Sequence, residues 1–342
     1  MKINSLVLFL LLTDLLSASP FRLTNRKYGT NSQSDLDSLF NSFESEVNNS
    51  LPQDAQDRYL NGISNATVFS SHGLGVDYAN SFNYFIVGGG IGFGADAGSN
   101  SVQNIVRGSV DQSTLSGFAA QASIMGGFRM KRLAFYGNYL SRNLGANVSN
   151  FNSKFSSYGA HIQLKVLKEK KIIPLGMLEW GGLDLTAGFR KTVLTAVFTK
   201  KISKTVTQTV DGSTATATIQ DATFRFGAES SIRSFPVELS TSFRYFNILS
   251  TYFGYGFVAN SGSTTSIASL NGNFGLSGSS ISSGASATAS LDLGDSGNPS
   301  SSDHYYFIGE QINILMLKTY FHVADSPRTN ALSIGLGVRI AF

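Results

Sequence analysis

Cysteine is absent from this 342-residue chain, which excludes disulfides, thiolate metal centres and a lipid-modified N-terminal cysteine. Charge is scarce. Asp, Glu, Lys and Arg make up 14% of the residues, the net charge is only +4, and no Lys/Arg run marks a nucleic-acid surface. No apolar stretch reaches the roughly 18 residues that a membrane-spanning helix needs. Histidine is limited to His72, His161, His304 and His322, with no HExxH and no i,i+4 pair. A helical zinc site is therefore excluded, and no metal or other cofactor is expected. His304 sits beside Asp303, Ser300, Ser301 and Ser302. A serine-rich loop produces such a neighbourhood by composition alone, so the chain is not read as an enzyme.

What is plentiful is glycine, 35 residues, together with serine and 26 phenylalanines. Residues 84–96, YFIVGGGIGFGAD, contain a G-x-G-x-x-A spacing at Gly90, Gly92 and Ala95. A dinucleotide loop requires a helix to open there, yet AGSNSVQN follows without helical periodicity. The glycines instead keep a period of two. Phe85, Val87, Ile91, Phe93 and Ala95 share one face, and Gly88, Gly90, Gly92 and Gly94 the other. This is one strand with an apolar face and a bare face, the bare side left for a neighbouring element or for tight curvature.

The same alternation recurs to the end of the chain. In 331–342, Leu332, Ile334, Leu336, Val338, Ile340 and Phe342 oppose Ala331, Ser333, Gly335, Gly337, Arg339 and Ala341. FRYFNILSTYF (243–253) and QINILMLKTYF (311–321) echo each other as two strands about a short turn. Four hairpins follow: 115–130 with 132–142, 155–167 with 181–198, 237–247 with 251–260, and 304–313 with 316–324. With first and last strands at 84–95 and 331–342 the count is ten, within a range of eight to twelve. Long connections at 96–114, 199–235 and 261–303 contrast with the short turns. Strands of about ten residues, apolar outside and polar inside, with long loops at one rim, are the pattern of a transmembrane antiparallel β-barrel. The fold class is all-β with a short N-terminal helical segment. Within the long connections, KTVTQTVDGSTATATI (204–219) reads as a hairpin ribbon about Asp-Gly, and the Ser/Gly-rich 261–303 as a flexible, solvated loop.

Residues 1–19 carry a lysine, the apolar run LVLFLLL and small residues, and are expected to be a cleaved export signal. Residues 20–83 form an acidic helical segment. One helix is expected over 34–47, with Leu36, Leu39, Phe40, Phe43 and Val47 on one stripe, and a second from Pro52 to about Asn61, ended by Gly62. The barrel occupies 84–342.

The inward polar residues expected from strand parity are Gln121, Arg129, His161, Lys165, Asp184, Arg190, Glu238, Arg244, Glu310, Lys318, His322 and Arg339. Charges inside a membrane wall need partners or water, so these residues are a salt-bridge network or the lining of an anion-preferring pore. Acidic helix 34–47 carries charge complementary to Arg190, Arg244 and Arg339, which makes it a candidate plug.

Residues 84–342 resemble a bacterial outer-membrane β-barrel. HGLGVDYA (72–79) and the FPVEL…FNIL hairpin more faintly resemble surface adhesin barrels of spirochaetes. The first resemblance implies an outer-membrane location, contact with outer-membrane lipid and insertion by the barrel assembly machinery. The second implies display of long polar loops for adhesion to host surface or matrix proteins. The alternative is a porin-like channel for small anions. Val338, Ile340 and Phe342 resemble the terminal insertion signal of such barrels. Deleting Phe342 is expected to leave the chain misassembled in the periplasm, read as loss of heat-modifiable, membrane-embedded protein.

Overall fold

The structure is a computed structural model that describes residues 22–29, 31, 33–49, 56–79, 84–97, 117–144, 150–173, 177–210, 213–278, 285–292 and 296–342. The expected export signal lies outside these residues, as does nearly all of the 96–114 connection.

The elements run β1 (Arg22–Lys27), α1 (Gln33–Asn49), α2 (Gln56–Phe69), β2 (Phe85–Asp96), β3 (Gly117–Met130), β4 (Leu133–Leu144), β5 (Phe151–Leu167), β6 (Lys170–Ile173) and β7 (Leu178–Val210). They continue with β8 (Ser213–Tyr245), β9 (Leu249–Gly278), β10 (Ser286–Asp292), β11 (Ser296–Gly297), β12 (Ser302–Ile314), β13 (Leu317–Ser326) and β14 (Ala331–Ala341). Strands β2, β3, β4, β5, β7, β8, β9, β12, β13 and β14 pair in succession, all antiparallel. The ring closes where β14 meets β2, from Ala331↔Asp96 to Ala341↔Ile86. This is a ten-stranded barrel. In hydrocarbon an unpaired strand edge would leave several kcal/mol of unmet backbone hydrogen bonding at each group, on the order of the desolvation cost of an amide, so closure is obligatory.

Parity decides which side chains meet lipid. On β14, Leu336, Val338, Ile340 and Phe342 are exposed, while Ser333 and Arg339 are buried inside. On β3, Phe118, Ile124, Phe128 and Met130 face out, opposite buried Ala119, Gln121, Ser123 and Met125. The short turns collect at one rim. Several of them place a non-glycine residue in the left-handed region, Lys131 at φ 55°, Asn247 at φ 56° and Leu315 at φ 52°, the geometry of tight primed hairpin turns.

At the other rim the strands do not stop. β9 has 30 residues, and a membrane crossing uses only about 9–11 of them. β7 and β8 stay paired out to Val210↔Ser213, flanking the Asp-Gly of the sequence reading, and β9 pairs β8 out to Ala215↔Gly278. The Ser/Gly-rich 261–303 segment, expected to be a flexible loop, supplies the rest of β9 and also β10 and β11. Its small residues alternate, and Ala285, Ala287 and Ala289 are buried on one face. Low charge and small side chains suit a packed sheet as readily as a solvated coil, which is why composition misled.

Strand β1 adds to β10, from Arg22↔Ser290 to Lys27↔Ser286, and α1 lies on this outer sheet. Leu36 and Phe40 pack with Leu23, Ala222, Leu270 and Phe274. The acidic helix is therefore outside the lumen. Its carboxylates meet Arg26, with Asp37 at 3.0 Å and Glu44 at 3.1 Å, instead of Arg190, Arg244 and Arg339. Once Leu36 and Phe40 find an apolar sheet at the rim, a charged lumen offers them nothing.

Asp37 also accepts a hydrogen bond from the Tyr28 hydroxyl at 2.9 Å. That bond, then the one from Arg26, holds its carboxyl below the usual carboxylate range, and the same bond raises the Tyr28 phenol. A depressed carboxylate stabilises folding above its unfolded pKa of about 3.9 and ceases to do so as pH falls through its folded value. A raised phenol gives its contribution below about pH 10 and loses it at more alkaline pH. The protection of the α1 amides against exchange, relative to the unstructured rate at the same pH, is expected to be greatest between these limits and to fall at either extreme. In Tyr28→Phe the Asp37 titration, followed by NMR, should move back up toward the ordinary value.

Candidate functional site

The lumen is the site, and it is filled by the chain itself. Helix α2 enters at the long-loop rim, where Ser64 Oγ donates to Thr264 Oγ1 at 2.7 Å and Asn61 and Asn65 accept from the backbone amides of Asn298 and Ser300. Residues 70–79 then continue toward the short-turn rim, where β2 begins. All of Ser70, Ser71, His72, Leu74, Val76, Asp77, Tyr78 and Ala79 are buried.

The sequence predicts an end to this helix near Asn61. It continues to Phe69 because Gly62 is a contact point and not a stop. A Cβ on wall residue Gly117 would collide with the Gly62 backbone. The bare face of β2 has the same cause. A Cβ at Gly92 would strike the Ser70 carbonyl oxygen, and one at Gly94 the Ala66 carbonyl oxygen. The empty side of YFIVGGGIGFGAD is the groove in which the end of α2 lies.

Polar contacts fix the segment to the wall. Gln121 Nε2 donates to Thr67 O at 2.9 Å and to Ser70 Oγ at 2.8 Å, and its Oε1 accepts from Thr192. Glu238 is the centre of one cluster. It accepts from the hydroxyls of Tyr78 at 2.8 Å and Tyr305 at 2.5 Å, and Arg190 Nη2 lies 3.7 Å from it. Arg190 also donates to Ser71 Oγ at 3.2 Å and to His161 Nε2 at 3.0 Å, which fixes that nitrogen as unprotonated. Arg339 is the centre of the other. It donates to Val76 O at 2.7 Å, pairs with Asp77 at 3.3 Å, reaches Gln311 at 3.4 Å and stacks over the Tyr320 ring at 3.8 Å. Between the two, Tyr78 packs against Tyr252, Phe307 and His322. Gly73, at φ 76°, brings the backbone against the His322 ring.

Of the remaining expected lumen residues, Lys165 pairs with Asp184 at 3.1 Å, and Arg244 with Glu179 at 3.7 Å near the short turns. Lys318 lies inward beside Arg339 in register, and Arg129 faces inward near the same rim. Glu310 does not join them. It is exposed on the outer face and accepts from Thr251 Oγ1 at 2.8 Å. Outward Tyr306, Ile308, Ile312 and Ile314 put it on the lipid side, and its place near the Ile314 turn lets the carboxylate reach the interface. Inward Tyr252, Tyr305 and Gln311, which are not among the expected lumen residues, carry much of the contact, and strand parity identifies them. Asp77 and Tyr78 have no periodic signal, because their stretch is neither helix nor strand.

The Arg339–Asp77 pair joins wall to lumen segment with both side chains almost fully buried, at 1% and 0% exposure. Removing one partner of such a pair typically costs about 3–5 kcal/mol, because a charge is stranded in a dry interior. Asp77→Ala is expected to lose about that much in urea unfolding from lipid vesicles, whereas Asp77→Ala combined with Arg339→Met should lose clearly less than the two single losses added.

A search of curated proteins finds no match. Among solved structures, similarity is found to the CymD monoaromatic hydrocarbon channel, at TM-score 0.27 and 6% identity, covering 83% of this chain and 98% of that one. The transport unit of the Escherichia coli autotransporter AIDA-I aligns at TM-score 0.25 and 12% identity, covering 81% and 96%. Pseudomonas putida OprB aligns at 0.20 and 7%, covering 77% and 94%. The closed ring with its lipid-facing apolar band is that of a bacterial outer-membrane β-barrel. The Lsa36-like family profile matches residues 23–342, and with the barrel and its filled lumen inside that span, the chain belongs to the Lsa36-like family.

Proposed function

We propose that this protein is a surface-display anchor whose lumen is closed by residues 56–79 and whose outer sheet makes the interaction, with host surface or matrix proteins as partners. The observation that carries the reading is the hydrogen-bonded packing of residues 60–79 against the barrel wall, from Thr264 at one end to Arg339 at the other. A permeation path would have to break the Arg190, Gln121 and Arg339 contacts together. The extended β7–β8–β9 ribbon, with β10, β1 and α1 on it, presents far more surface than a barrel needs for its own closure. The rival reading is a porin-like channel for small anions, favoured by the basic residues around one mouth of the lumen.

Planar-bilayer recording separates the two. The full chain is expected to show no steady conductance, and stable ohmic channels in the wild-type protein would replace the anchor with the channel. Adhesion is tested by deleting ribbon residues 204–219. The variant should remain heat-modifiable and lose binding to immobilised matrix proteins. Undiminished binding would place the interaction elsewhere.

A further inference from the structure

At the short-turn mouth of the barrel lies a cavity of about 500 Å³. This falls within the range of about 300–1,000 Å³ usual for small-molecule sites. Arg129 and Lys165 reach it from the wall, and Lys131, Arg132 and Lys168 from the adjoining turns, against only two carboxylates, Asp184 and Glu169. Asp184 is engaged by Lys165, whose Nζ also donates to Gly181 O at 2.6 Å. The local balance is therefore strongly positive.

A second, independent feature points the same way. Gln163 lines the cavity and is 1% exposed. Its Oε1 is held by the Tyr136 hydroxyl at 2.7 Å, while its Nε2 has no hydrogen-bond partner among the described residues. A buried amide donor without an acceptor is unfavourable unless something at the site supplies one. Guanidinium and ammonium groups converging beside a buried N–H donor match an oxyanion in both charge and hydrogen-bond polarity.

We propose that this mouth binds a small anion bearing a phosphate or carboxylate group. With the long loops outside, the mouth opens to the periplasm. The inference is independent of whether the outer sheet is adhesive or the lumen conducts.

The test is calorimetric titration of the full chain in nanodiscs with inorganic phosphate and with citrate, using choline chloride as a cationic control. Saturable binding of an anion is expected, with none for choline. The affinity should fall at least tenfold in Lys131→Gln/Arg132→Gln, whose positions are on an exposed turn away from the packed lumen, and also in Gln163→Leu. Heat-modifiability reports whether each variant is folded. Absence of saturable anion binding overturns the proposal. So does binding that survives both changes, or that drops equally in Lys200→Gln/Lys201→Gln at the opposite rim. Nanodiscs with and without phosphatidylglycerol distinguish the source of the anion. If the anionic lipid competes with phosphate in the wild type and not in the double variant, a headgroup fills the site. If it does not compete, the ligand is a free solute. Both results require the site.

Discussion

A bilayer offers the backbone no hydrogen-bonding solvent, and that single constraint organises this molecule. It demands that the last strand pair with the first, and the β14–β2 seam does so over its whole length. Closure then creates an interior, and the interior must be dealt with. A ring of ten strands is wider than one filled by its own wall side chains, as in eight-stranded barrels, and the small inward residues of β2 widen it further on one side. The chain meets this by supplying its own filling. Glycines on β2, a helix with small residues at Gly62 and Ala66, and polar anchors at Gln121, Arg190 and Arg339 are parts of one packing solution.

The buried charges illustrate how that solution is specified. Arg190 and Arg339 are expensive to bury, and hydrophobic residues would pack as well. Each, however, reaches across to a particular group of the inserted chain: Ser71 for Arg190, and Asp77 with the Val76 carbonyl for Arg339. The Tyr78 ring is set between these two points. Apolar contacts alone would let the segment slide along the barrel axis, whereas two charged contacts fix its height.

Legibility in the sequence followed periodicity. The barrel strands could be placed from alternation because lipid on one face and a packed lumen on the other impose a strict period of two. Where a chain has no such two-sided environment, the pattern vanishes. Residues 70–79 are buried on all sides and turn through Gly73 and Gly75, so Asp77 and Tyr78 gave no sign of their partners. The amphipathic stripe of α1 was readable as far as Leu36 and Phe40 are concerned, but a stripe states that a face is buried and not against what. Charge complementarity suggested the lumen, and the apolar outer sheet was the actual destination. Glu310 shows the converse error, because it shares the parity of outward Tyr306, Ile308, Ile312 and Ile314, and the alternation itself places it on the lipid face.

The path of the chain has a mechanical consequence. Beginning with β1 and α1 at the long-loop rim, passing through a hydrogen-bonded ring and emerging to start β2 at the other rim, the protein is a ring threaded by its own axle. The folded β1–α1 unit is held at the outer end by the pairing of β1 with β10 and by Leu36 and Phe40 packed on that sheet. The segment inside the lumen is therefore tethered from outside as well as held by its own contacts. It cannot be drawn toward the periplasm unless β1 first parts from β10. Movement in that direction thus requires a small module outside the membrane to come loose in addition to the breaking of the lumen contacts.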